Sequence, residues 1–354
     1  MPALALVTTP LEDALLTRME ASEVADRIGA MRKQEDTTYC CSDYLGDNEE
    51  LRSTARKPVD EECRVKMCEW CYQVVDFCKF RRETVAIGMS YLDRYLSTPY
   101  GRRALTDRKE YQLSAMTTLY MAIKLHEPLE METSLLADLS RGCYNEQEIS
   151  DMEKDILNAL GWRIQGPTPL SFVQHFLALL PDTVHPAVAT AIMDYARFQT
   201  ELAVSDYGFV TIKYSNIALA AILNAVEGME QSLFPLKTQG GFLRAVERFS
   251  GIMVEDVEET QEQLNNVLLD VYAEDSLPPS PESRRSTSVR SYAFSDDEGE
   301  DYEQLPPERR ISRKTSGRFQ RQETSPVSVT KRESVSRRET WRRESSFRRR
   351  AFAQ

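Results

Sequence analysis

Histidine is scarce in this sequence: His126, His175 and His185 are the only three, and they are scattered. There is also no G-x-S-x-G, no H-E-x-x-H and no glycine-rich phosphate loop, so the common hydrolase, metalloprotease and nucleotide-binding patterns are missing. Long apolar runs are lacking too. No stretch of about 18 apolar residues is free of proline, glutamine and charge, and the opening "MPALALVTTPLEDALL" has no basic start of the signal-peptide kind. The seven cysteines are odd in number and without framework spacing, which points to reduced thiols. These absences imply a soluble intracellular protein of the nucleus, the cytoplasm or both. They imply no enzyme constellation, metal, cofactor, small-molecule substrate or membrane partner.

What is present is charge, unevenly placed. The net charge is −12, yet residues 304–354 hold 15 Lys+Arg against 5 Asp+Glu, so the rest of the chain is strongly acidic. An acidic body repels phosphates, and any nucleic-acid contact would fall to the basic tail. From about residue 274 the composition turns to Ser, Arg, Glu and Pro with few aliphatics, the signature of a disordered tail over 274–354. Two basic residues, any residue, then Ser or Thr recurs at Thr287, Ser312, Ser334, Thr340 and Ser345, a basophilic-kinase pattern. Ser280 and Ser325 precede proline, and Ser295 precedes an acidic run. Phosphates there would offset the positive charge stepwise and create sites for phosphoserine-reading proteins, although any single match is as readily incidental.

The body reads as helices. Residues 10–34 carry helical apolar spacing at Leu15, Met19, Val24 and Ile28, but the segment is weakly apolar and suggests a loosely held helix within a flexible region over 1–33, followed by a lead-in over 34–60. "EECRVKMCEWCYQVVDFC" and "ETVAIGMSYLDRYLS" each place apolar residues by threes and fours. Thr106 is the expected cap of "DRKEYQLSAMTTLYMAIKLHE". Asn145 with Glu148 forms a capping-box pattern opening a helix that Gly161 ends, and the shorter "SLLADLS" lies between these two. Five helices over 61–165 and about five more over 166–273, divided at "GPTP", with no alternating strand pattern, make an all-α protein of two tandem domains.

Cys68 and Cys71 in "CEWC" mimic a metal or redox pair, but on a helix they fall on the apolar stripe, where free cysteine packs as a small hydrophobe. More informative are charges on or beside apolar stripes: Arg64, Asp93, Lys124 and Glu153. An unpaired buried charge costs several kcal/mol, so these residues would pair or be met by a partner. On spacing alone, a lysine such as Lys124 is most simply read as snorkelling at a helix end.

"CRVKMCEWCYQVVDFCKFRRETVAIGMSYLDRYLS", "QLSAMTTLYMAIKLHE" and "SDMEKDILNALGWRIQGPTPLSF" together resemble the cyclin box, in order and spacing. The family's charged set falls on Arg64, Asp93, Lys124 and Glu153, and its leucine on Leu113. The resemblance is close over 61 to about 173, and at the level of fold beyond. It implies two tandem five-helix cyclin folds and a regulatory subunit of a cyclin-dependent protein kinase. It makes Arg64 and Asp93 a structural ion pair, and Lys124 and Glu153 anchors on the kinase, with the lysine's partner expected on that other protein. His126 and Glu127 beside it are expected to be exposed helix-end residues. In some members the first helix also recruits substrates. The matching positions include Val65, Met67, Trp70 and Gln112, while Lys66 puts a charge where the family has an apolar wall, altering any Arg-x-Leu docking. A rival reading is a cyclin-fold adaptor in transcription that binds nucleic acid or polymerase components. It would need a basic face on the second domain.

Overall fold

The computed structural model describes residues 21–55 and 57–276. Leu15, Met19 and all the tail phosphorylation sites lie outside the described residues. Among the described residues every regular element is helical, and no helix is long and apolar enough to cross a membrane.

The first domain holds α3 (Glu61–Cys78), α4 (Glu83–Leu96), the short α5 (Arg102–Thr106), α6 (Arg108–His126), α7 (Thr133–Leu139) and α8 (Glu146–Ala159). Asp60 starts α3 by accepting the Cys63 N–H at 2.9 Å, and Lys79 in the left-handed region ends it. Arg64, Met67, Cys68 and Cys71 face inward. Burial pushes the Cys68 thiol up to about 11 and the Cys71 thiol well above its usual range, so both act as packing groups. The centre of the domain is α6, buried on nearly every side from Tyr111 to Ile123. It crosses α4 at Gly88, where an added Cβ would lie 3.1 Å from the Leu119 Cα, so only glycine admits this approach without displacement. The α6 cap is Asp107, whose carboxylate accepts the Lys109 N–H at 2.9 Å. Thr106 is instead the last residue of α5. The expected cap is therefore one residue off, because a short helix uses the threonine. The Asn145–Glu148 capping box is present at α8, with reciprocal bonds of 3.0 and 2.8 Å.

The second domain repeats the plan with α9 (Pro169–Leu177), α10 (Pro186–Ser205), α11 (Tyr214–Glu227), α12 (Leu236–Ser250) and α13 (Glu258–Ser276). Here too one helix is the centre: α11 is buried from Ile217 to Val226. The domains share a core at one place. Val204 at the end of α10 and Val210 just beyond it belong to the apolar core of the first domain.

Ahead of both domains lie α1 (Ala21–Thr37) and the short α2 (Glu49–Ser53). Residues 21–33, expected to be loosely held, form most of α1, whose Val24 and Ile28 are fully buried in the second domain's core. The Glu35 carboxylate accepts the Ser215 N–H at 3.0 Å and the Ser215 hydroxyl. Arg32 donates to the Ser250 carbonyl. These anchors are contributed by residues far away in sequence, so the local apolar pattern could not announce them.

Candidate functional site

The four charges singled out from the sequence form two pairs of different character. Arg64 on α3 and Asp93 on α4 are both buried. The guanidinium meets the carboxylate through two nitrogens, Nη2–Oδ2 at 3.0 Å and a close Nη1–Oδ1 contact. Tyr44 Oη donates to Asp93 at 3.0 Å, and Arg64 Nη2 also donates to the Val204 carbonyl at 2.9 Å. Burial alone would pull the Arg64 pKa down, but the charge of Asp93 holds it well above its usual value. The pair joins α3 to α4 and both to the second domain. It holds structure and is not accessible to a ligand.

Lys124 and Glu153 lie at the surface. Lys124 stands in the last turn of α6 and Glu153 in the middle of α8, and their Nζ and Oε1 are 3.0 Å apart. The Lys124 side chain is 49% exposed and that of Glu153 17% exposed, so the pair sits at an accessible edge. The hydrogen bond to Glu153 raises the Lys124 pKa, and the ammonium also lies 5.6 Å from the Tyr120 ring centroid. This corrects the expectation that the lysine's partner lies on another protein, because Glu153 is already its partner within the chain. Leu125, next in sequence to Lys124, and Leu129 beyond the helix end are exposed apolar side chains. Leu113, in contrast, is buried in the first-domain core.

The residues matching the substrate-docking pattern are divided between surface and core. Val65 is 39% exposed and Trp70 half-buried, but Met67 faces the core. Lys66 is ion-paired with Glu62 at 2.8 Å, which partly neutralises the charge in that wall. Gln112 is half-buried, and its Oε1 accepts from Tyr144 Oη at 3.0 Å.

One neighbour of Lys124 departs from the sequence reading. Glu127, expected to be exposed, has a side chain only 2% accessible. It accepts the Arg81 N–H at 3.1 Å and the Thr84 hydroxyl at the start of α4. The available signal was an absence: Arg82, at the N-cap of α4, has no side-chain acceptor to offer.

Comparison with known proteins bears on what this arrangement serves. Residues 26–165 match the description "Cyclin, N-terminal domain" and residues 167–293 "Cyclin, C-terminal domain". The chain is 28% identical over 174 residues to G1/S-specific cyclin-D1 of Danio rerio, covering 49% of this chain and 57% of that protein. It is 25% identical over 211 residues to the Homo sapiens G1/S-specific cyclin-D1, covering 59% and 67%. With G2/mitotic-specific cyclin-2 of Antirrhinum majus it shares 32% identity over 170 residues, covering 47% and 36%. Among solved structures, a viral cyclin from herpesvirus saimiri aligns with 70% of this chain and 97% of its own, at 18% identity and a TM-score of 0.48. Two successive cyclin domains match along one chain, with relatives among both G1/S and mitotic cyclins, and the chain belongs to the cyclin family.

Proposed function

We propose that this cyclin binds and activates a cyclin-dependent Ser/Thr kinase through the edge formed by Lys124 and Glu153, and performs no catalysis itself. The observation that carries the reading is the exposed 3.0 Å ion pair joining α6 and α8 at the two positions where the cyclin-box resemblance puts the kinase anchors. An ammonium has three donors and a carboxylate several acceptor sites. One contact between them leaves Lys124 able to donate to carbonyls, and Glu153 able to accept N–H groups, of a docked helix. Holding each other beforehand, the two side chains lose less freedom on binding. A kinase needs its C-helix turned inward to complete the catalytic Lys–Glu pair, and its activation loop displaced. A cyclin that packs only against that placement shifts the kinase population toward it.

The test is affinity capture of the bound kinase, followed by binding and activity measurements with Lys124→Ala and Glu153→Ala. An exposed pair contributes at most about 1 kcal/mol to folding, so both variants are expected to keep the wild-type melting temperature while losing kinase affinity. Unchanged complex formation and activity in both would refute the assigned edge.

The same proposal includes phosphorylation of the tail residues by basophilic and proline-directed kinases, capture of the products by phosphoserine readers, and residence in the nucleus, the cytoplasm or both. Mass-spectrometric mapping of the chain isolated from cells, with microscopy, tests these. Substrate docking through Val65, Trp70 and Gln112 is proposed in altered form, because the Glu62–Lys66 pair replaces apolar wall. The nucleic-acid adaptor reading would need a basic face on the second domain, where Lys213 is paired with Asp36 at 2.6 Å and Arg197 with Asp194 at 3.3 Å, while Lys237, Arg244 and Arg248 are exposed on α12.

A further inference from the structure

The last turn of α6, which carries Lys124, is held by a reciprocal clasp. At the start of α4 the N-cap residue Arg82 offers no capping side chain. Glu127, the residue that ends α6, supplies the missing acceptor from across the interface. Its carboxylate takes the Arg81 N–H at 3.1 Å and the Thr84 hydroxyl, and lies 3.7 Å from Arg81 Nε. A carboxylate at a helix start and a cation at a helix end both complement the macrodipole. The second half is present as well: the Arg81 guanidinium donates to the His126 carbonyl, the last of α6. Tyr91 of α4 reinforces the joint, with its hydroxyl 3.2 Å from His126 Nε2 and donating to the Ile164 carbonyl at 2.6 Å. Lys124 and Glu127 are three positions apart, less than one helical turn, so the clasp fixes the turn from which the lysine reaches Glu153.

We propose that Glu127 is a positioning residue for kinase binding: by fastening the end of α6 to the start of α4, it sets where Lys124 meets Glu153. The link to binding rests on the reading that this pair contacts the kinase. The link to geometry does not.

The test has one arm for each link, both on the full chain. Lys124 is titrated by NMR in protein labelled at the lysine side chains. The wild-type ammonium is expected to titrate above an ordinary lysine, and Glu127→Ala to bring it down toward the value in Glu153→Gln. Kinase affinity is measured with a purified cyclin-dependent kinase catalytic subunit. Glu127→Ala should weaken binding about tenfold, the scale of one coupled contact, and should cost nothing further once Lys124→Ala is present. Thr84→Val removes a single leg of the clasp with little change of volume. It should shift both readouts in the same direction by less, which keeps the test decisive if Glu127→Ala folds poorly. An unchanged Lys124 titration in Glu127→Ala and Thr84→Val, or affinity losses that add to that of Lys124→Ala, would reduce Glu127 to a general stabiliser and overturn the proposal. If Lys124→Ala alone leaves the affinity intact, the kinase-contact reading fails, and the titration still decides whether Glu127 positions the lysine.

Discussion

At the scale of single residues, burial separates two ion pairs that look alike in the sequence. Arg64 and Asp93 are both buried, with Tyr44 Oη and the Val204 carbonyl completing their shell. Removing one partner strands the other charge in the core. Arg64→Ala or Asp93→Ala is therefore expected to cost about 3–5 kcal/mol, read as a lower urea midpoint, whereas the joint replacement Arg64→Met with Asp93→Leu should recover most of that loss. A cost below about 1 kcal/mol for either single change would show that water reaches the pair, since that is the range of exposed pairs. Lys124 and Glu153, at 3.0 Å but accessible, sit at the weak end of the scale for folding. Their pairing therefore adds little to folding stability.

At the scale of elements, α1 is the instructive case. Glu35 is buried where its carboxylate receives the Ser215 N–H and hydroxyl at the start of α11. Burial raises its pKa, outweighing the lowering by those hydrogen bonds and by Arg32. A carboxyl whose folded pKa is raised binds its proton more tightly in the native state, so its contribution to stability is present at low pH and lost as pH rises through the folded value. The wild type is thus expected to lose stability relative to Glu35→Gln as pH climbs from the ordinary carboxylate range toward neutrality, in paired thermal melts. The opposite trend would mean that the hydrogen bonds dominate. This docking was not legible beforehand, because the segment carrying Val24 and Ile28 is weakly apolar and the decisive contacts come from Ser215 and Ser250. The long helices were legible, since their stripes extend over three or more turns and Asn145 with Glu148 states its own cap. The pairing of Lys124 with Glu153 was half legible. Spacing placed each residue on its helix, but the distance between them depends on how α6 crosses α8, which no local pattern encodes.

At the scale of the whole molecule, the two domains are joined too closely to behave as beads on a string. The end of α10 is built into the first domain: Val204 and Val210 complete its core, and the Val204 carbonyl receives Arg64. Glu201 extends the joint, its backbone carbonyl accepting from Tyr72 Oη at 3.1 Å and its carboxylate meeting Arg82 Nε at 2.7 Å. The leading segment straps the other side, with α1 on the second domain, Tyr44 in the first-domain core, and Tyr207 Oη accepting the Leu45 N–H at 2.9 Å. Separating the domains would uncover Arg64 and Asp93 together with apolar surface, and a buried pair that loses its shell costs several kcal/mol. Partial unfolding of either domain is thereby disfavoured, and calorimetry of the chain should give one transition with calorimetric and van't Hoff enthalpies nearly equal. Val204→Ala, which thins the joint without touching a charge, should lower the melting temperature of that single transition. Two resolved transitions in the wild type would show that each domain is stable alone and that the joint serves geometry more than stability. One transition would mean that the edge formed by α6 and α8 belongs to a single cooperative body, backed by the packing of both domains.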